Sequence, residues 1–328
     1  MPVRVFLTKA QRKAWRGGKG SLKERQLSVK CRNRYMSALQ FFFGFLPFVV
    51  GAWAADWETR DSQVGEFMEA MWAEGEPKSL AGDILSALQW HYGARKVLNG
   101  SWRKFGTWTR LEPSAHALPL PAGALFAALG VALEMGDPFM AISIFVGFHA
   151  CLRTGELIGL QLSQVRGSGS DLTLVLTDTK TTKRHGNTEY VLIEDAVAQI
   201  LLEWARTRLG TFGPLFQGSP SFFRSTWRAI MLRLGLDPAA FTPYCLRRGG
   251  ATFDFISTGS IDRALIRGRW QSVKCARIYV KQGEELLTRI SFTNNQKAEF
   301  DNFAEIFRTF VRSAARELAQ VRPDLQFS

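Results

Sequence analysis

Apolar residues recur every three or four positions along most of the chain, the spacing of helices that bury one face. The pattern predicts helices over 29–46, 61–73, 79–98 and 101–110. Ser62 and nearby acids suit the start of the second, Gly75 and Pro77 stop it, and Asn99-Gly100 stops the third. Residues 111–121 then place three prolines in eleven positions, the strongest linker signal in the chain. Beyond it, 122–135 and 138–152 are almost continuously apolar and read as two buried helices. The period changes to two over 171–177 and 188–193, with a polar turn between them, which predicts a hairpin. Helical spacing returns over 195–209, 221–234, 248–257, 261–267, 273–282 and 298–320. The fold class expected is mostly α (α+β): a helical module, then a mainly helical domain with a small antiparallel sheet. The divisions fall at a basic arm, 1–34, a helical domain, 35–111, and a larger domain, 119–328, with a helical tail from about 291.

Charge alters this picture. The 328 residues carry a net charge of +13, which implies a polyanionic partner. The excess is uneven: residues 1–34 hold +10, 35–118 hold −2 and 119–328 hold +5. The arm reads equally as a solubilising extension or a nucleic-acid contact. Other classes recede. Cys31, Cys151, Cys245 and Cys275 form no CxxC pair, and His91, His116, His149 and His185 form no HExxH, so neither a metal site nor a disulfide framework is expected. The longest apolar run, 41–55, is short for a bilayer and contains Pro47; a buried helix with a turn is the expectation, with no membrane partner. No signal-peptide pattern, internal repeat, GxGxxG or P-loop is present.

Four segments of the second domain carry chemistry. His149-Ala-Cys-Leu-Arg153-Thr-Gly-Glu156 puts an arginine where an apolar helix is expected to end; alone it reads as a helix C-terminus. Lys180, Lys183 and Arg184 crowd the hairpin turn, and alone read as solvated. Tyr244-Cys-Leu-Arg247-Arg248 opens a helix with two arginines, against the dipole unless they face an anion. Trp270 follows Arg247 by 23 residues and Tyr279 follows Trp270 by 9; singly, such aromatics are usually core. Together these are parts for attack on a phosphodiester. Guanidinium forks match its non-bridging oxygens and stabilise the added charge of a pentavalent transition state. A phenol can form a covalent intermediate that keeps the bond energy. A lysine on a turn can protonate a leaving 5′-oxygen.

On these residues the chain resembles the tyrosine recombinase/integrase family, the phage integrases and Cre-type site-specific DNA recombinases. The family pattern is an Arg-x-x-Glu/Asp box, a hairpin Lys, a His/Lys-x-x-Arg box, a His/Trp and, nine residues on, a nucleophilic Tyr. The resemblance spans about residues 119–290, and the helical first module is similar in layout to the family's core-binding domain. It implies that Arg153 and Arg247 clamp the scissile phosphate and that Lys180, with Lys183 as its rival, is the general acid. It implies that Trp270 donates its indole N–H to phosphate, that Tyr279 forms a 3′-phosphotyrosyl bond, and that Glu156 orients the arginines. Tyr244 stands where the family has His or Lys, and a neutral phenol is a poorer proton shuttle near pH 7.

The partner implied is double-stranded DNA, and the stretch from Tyr244 to Lys281, at +6, agrees with it. DNA contacts are expected from Arg103, Lys104, Lys183, Arg184, Arg248 and Arg269, mostly to phosphates. The resemblance further implies a homo-oligomer on DNA (dimer or tetramer), a C-terminal helix near 300–318 packed on a neighbouring protomer or in cis, no cofactor and no metal, and an intracellular site of action with DNA, in a mobile element, phage or chromosome. A type IB topoisomerase or telomere resolvase, or a catalytically silent DNA-binding relic of a mobile element, are the alternatives.

Overall fold

The computed structural model describes residues 8–17, 26–93, 96–113, 117–177, 179 and 188–327. The chain divides into two compact units, residues 1–115 and 116–328.

The first unit is all helical among its described residues: α1 (Lys9–Gly17), α2 (Val29–Val49), α3 (Trp57–Ala73), α4 (Lys78–Tyr92) and α5 (Asn99–Leu111). Side-chain caps fix the starts. Ser28 accepts from the N–H of Cys31 at 3.2 Å and Asp56 from that of Thr59 at 2.8 Å. Asp61, inside α3, accepts from the N–H groups of Gly100 (2.7 Å) and Ser101 (2.8 Å), so a side chain of one helix satisfies the open end of α5. α4 stops earlier than its apolar pattern suggests because Gly93 takes a left-handed φ of 65°. The core gathers Phe42, Leu46, Val64, Phe67, Ile84, Leu85, Leu88 and Trp108. The apolar run at 41–55 corrects one expectation. α2 carries Pro47 within it and leaves Phe45 and Phe48 in solvent, Phe48 at 85% exposure, so this end is not a buried helix. Among the described residues no helix is long and apolar enough to cross a membrane.

The second unit holds α6 (Ala122–Glu134), α7 (Pro138–His149), the short α8 (Thr154–Ile158), strands β1 (Val165–Arg166), β2 (Thr173–Leu176) and β3 (Glu189–Leu192), then α9 (Ala196–Leu209), α10 (Pro220–Arg233), α11 (Cys245–Thr258), α12 (Ile261–Gly268), α13 (Val273–Arg289) and α14 (Asn294–Val321). This is a mostly α fold with one small antiparallel sheet, ordered β1-β2-β3. Leu174 pairs with both Val165 and Val191, and Leu176 with Glu189. β1 is too short for a period-two pattern to show in the sequence. α6 and α7 are apolar all round and lie in the core. α7 and α11 approach so closely that a Cβ on Gly250 would sit 2.0 Å from the carbonyl oxygen of Phe148, which admits glycine alone.

For the tail, the sequence left packing on a neighbour and packing in cis both open. α14 folds back on its own chain, along α6 and α9. Phe300, Phe303, Phe307, Ala314 and Leu318 are buried in the core of the same unit. Gly130 of α6 lets the backbone of α14 approach until an added Cβ would meet the Phe303 carbonyl oxygen at 2.0 Å. Trp204 donates its indole N–H to Glu317 at 2.8 Å. The apolar stripe is thus buried in cis, one of the two arrangements the sequence left open.

Candidate active site

α7 ends at His149, and the chain turns through Cys151 at a φ of 47°. Arg153 therefore does not close that helix, as the sequence pattern suggested. It stands in extended conformation as the N-cap of α8, where its backbone N–H is accepted by Glu156 at 2.9 Å. The same carboxylate receives Arg153 Nη1 at 2.5 Å and Arg269 Nη2 at 2.6 Å. Glu156 thus holds two guanidinium groups and a backbone amide at once. Burial pulls the Arg153 pKa down, but the bond and charge of Glu156 outweigh it, and the net shift is upward.

Arg269 caps the C-terminus of α12 with a left-handed φ of 54°, an uncommon conformation for a residue with a side chain. Its side chain is 6% exposed and reaches toward the carbonyls of Ala150 (3.3 Å) and Cys151 (3.5 Å) and the carboxylate of Glu189 (3.5 Å). This departs from the expectation of a DNA-facing arginine: the guanidinium turns inward because two carboxylates wait there.

Arg247 enters from the first turn of α11 and is 1% exposed. Nη1 donates to the carbonyl of Cys151 and Nη2 to that of Gly268, each at 2.5 Å. Its guanidinium carbon lies 5.0 Å from the centre of the Trp270 ring. Burial, and next the charge of Arg153, lower its pKa. Trp270 stacks on Tyr279 with centroids 4.6 Å apart and an angle of 26°. The Tyr279 hydroxyl shares a 2.5 Å hydrogen bond with that of Tyr244. Burial, then this bond, push the Tyr244 pKa up to about 12, so the phenol keeps its proton at any neutral pH. Arg248, also expected at the DNA surface, is instead 2% exposed. Its guanidinium lies 5.8 Å from the Tyr279 ring centre and donates to the Ala117 carbonyl at 3.1 Å.

The structure therefore gathers Arg153, Glu156, Tyr244, Arg247, Arg248, Arg269, Trp270 and Tyr279 into one network of contacts. Lys180, Lys183 and Arg184 lie outside the described residues. Arg103 and Lys104 belong to the first unit, exposed on α5, where they line a groove of about 370 Å³ with Met68, Trp72 and Trp108. Lys104 pairs there with Glu69 at 3.2 Å. The residue missed from sequence is Glu189. Period-two alternation puts it on the same strand face as buried Val191, and a charge on an inward face was the available signal.

No protein-family model matches the sequence, and no curated protein matches it either. Solved structures do. The XerH site-specific recombinase, bound to a palindromic difH substrate in a post-cleavage complex, aligns over 78% of each chain at 12% identity, with a TM-score of 0.56. A lambda integrase dimer on a COC′ core site covers 82% of this chain and 93% of its own at 15% identity and a TM-score of 0.54. The Tn1549 transposon integrase, with transposon right-end DNA, covers 85% and 96% at 13% identity and a TM-score of 0.50. The chain has the site-specific recombinase and integrase fold. Within this recombinase fold, α8, β3, α11, the turn at 268–270 and α13 supply the residues of the network.

Proposed function

We propose that the chain is a tyrosine-type DNA strand transferase, a site-specific recombinase or integrase, acting through a 3′-phosphotyrosyl intermediate. The observation that carries this reading is the setting of Tyr279: a half-buried phenol stacked on Trp270, bonded to Tyr244 and flanked by arginines. The fold neighbours support it, since they are recombinases and integrases in complex with DNA.

In the reaction, Arg153 and Arg247 bind the non-bridging oxygens of the scissile phosphate, and Trp270 adds an indole N–H. The Tyr279 hydroxyl releases its proton to solvent as its oxygen attacks phosphorus and the P–O5′ bond breaks. The 5′-oxygen leaves as a hydroxyl on taking a proton from Lys180, with Lys183 as the rival donor. Tyr244, which keeps its proton, donates a hydrogen bond and is not the base. Attack by a 5′-hydroxyl on the phosphotyrosine reverses the sequence on the same or another strand. Double-stranded DNA is the substrate and a homo-oligomer on DNA the working form. Residues 35–111 would serve as a core-binding domain, with Arg103 and Lys104 on phosphates, and an intracellular mobile element is the setting most in keeping with the neighbours.

A nicked suicide substrate tests the reading. A covalent protein–DNA adduct is expected in EDTA, because the arginines carry the charge-stabilising role. Tyr279→Phe should abolish the adduct, and peptide mapping should place the phosphate on Tyr279. Strict dependence on a divalent cation would overturn the assignment, and relaxation of supercoils without strand joining would favour a topoisomerase.

A further inference from the structure

Glu189 opens β3, and its side chain points into the network and not to solvent, at 12% exposure. Its Oε2 lies 3.6 Å from Arg153 Nη1 and 3.5 Å from Arg269 Nε. Both are ion-pair separations longer than hydrogen bonds, and among the described residues neither Glu189 Oε2 nor Arg269 Nε makes a hydrogen bond. Glu156 differs, taking its three donors at 2.5, 2.6 and 2.9 Å. Arg153 is thus gripped by one carboxylate and only steered by the other. Its side chain is 28% exposed, the most open of this group, so one edge remains for a ligand.

A carboxylate that meets both arginines only at ion-pair range, beside a partly exposed guanidinium, has a definite electrostatic effect. It balances the cation while no anion is present and draws Arg153 and Arg269 toward β3. It also opposes an arriving phosphate by like charge. We infer that Glu189 is a positioning residue for the proposed cleavage: it orients Arg153, together with Arg269, for the transition state at some cost to ground-state binding. This rests on the strand-transferase reading. It predicts a split between affinity and rate, because an interaction that orients a group without binding substrate changes the rate and leaves affinity unchanged or improved.

The test compares Glu189→Gln with wild type in single-turnover cleavage of a suicide substrate at saturating enzyme. DNA affinity should be unchanged or higher, while cleavage slows about tenfold or more, within the range for a misplaced catalytic group. The decisive arm replaces one non-bridging oxygen of the scissile phosphate by methyl. That substrate has less charge to neutralise and depends less on Arg153, so Glu189→Gln should slow it no more than about threefold, since most of the defect acts through that guanidinium. Glu189→Asp, which keeps the charge, should recover part of the rate, and it carries the same two-substrate comparison if the Gln variant fails to fold. Equal slowing on both substrates would mean a merely structural role and overturn the inference, as would no slowing on either. Absence of any wild-type adduct on either substrate would instead remove the strand-transferase reading and the inference with it.

Discussion

Two pairs of arginines meet this site in opposite electrostatic states. Arg153 and Arg269 face carboxylates, Glu156 closely and Glu189 at longer range. Arg247 and Arg248 are more deeply buried, yet among the described residues no carboxylate pairs with either. Their acceptors are the carbonyls of Cys151, Gly268 and Ala117, and they lie near the faces of Trp270 and Tyr279. Burial pulls both of their pKa values down. A buried cation held by neutral groups is a costly arrangement, of several kcal/mol before its hydrogen bonds offset part of it. The pairs therefore divide the work. One is largely balanced by carboxylates, Arg269 inside the network and Arg153 with one edge left open for the proposed phosphate contact. The other has no paired carboxylate among the described residues and lies beside the Tyr244–Tyr279 pair, where the proposed phosphate would supply an anion.

The sharpest way to break this comparison is to remove one arginine from each pair without changing side-chain length greatly. Arg269→Met would leave Glu156 and Glu189 without one of their cations and should lower the unfolding free energy by about 3–5 kcal/mol. Arg248→Met removes a buried charge whose Nε and Nη2 make no hydrogen bond among the described residues, and should be neutral or stabilising by about 1 kcal/mol. Urea unfolding of both variants checks this. Equal losses would show that carboxylate pairing is not what separates them.

The division was only partly legible in the sequence. Helical periodicity and the change to period two foretold a mostly α domain with a small antiparallel sheet, because those spacings record which faces are buried. The intervals of 23 and 9 joined Arg247, Trp270 and Tyr279, which the fold brings together through a helix start, a turn and a helix interior. Arg153 was misread as a helix end because the stop at His149 is made by Cys151 at positive φ, with no glycine or proline at the break. Arg269 hid its role similarly, as a left-handed cap with a full side chain that reads as one more basic residue. The stripe Phe300, Phe303, Phe307 showed that α14 buries a face but not what against; the small residue that admits it, Gly130, lies some 170 positions earlier.

A smaller effect sharpens the same contrast. If Arg247 lacks only an anion, a tetrahedral dianion should stabilise the protein. At ten times its dissociation constant, sulfate would add about 1.4 kcal/mol, a rise of about 3–6 °C in melting temperature for a unit of this size. Sulfate also stabilises proteins by exclusion from their surface, so the informative quantity is the difference from Arg247→Met, with chloride at matched ionic strength as reference. The variant should lose the specific part of the rise. An equal rise in both proteins would count against an anion site at Arg247.

The smallest predicted effect asks on which side of the comparison a further buried ionisable group falls. His149, at the end of α7, places Nδ1 3.6 Å from Asp195, while its carbonyl accepts from Arg267 Nε at 2.6 Å and Arg267 pairs with Asp254 at 2.8 Å. If Asp195 dominated, His149 would resemble Arg153, a cation held by a carboxylate, and acid would strengthen the fold. Burial is the larger cause, however, and with Arg267 it outweighs Asp195 and Asp254, so the imidazole pKa is lowered. The sign follows. The unfolded chain takes up this proton near pH 6.5 and the folded one only at lower pH. The stability linked to His149 is therefore present above about pH 6.5 and lost as the pH falls through the folded value, by at most about 1.4 kcal/mol per pH unit. Carboxylates titrate at lower pH in any such scan, so the measure is the stability of wild type minus that of His149→Gln. That difference should shrink on acidification below pH 6.5 or so. A difference that grew would place His149 with the carboxylate-held arginines, and would show that a carboxylate at 3.6 Å can outweigh burial here.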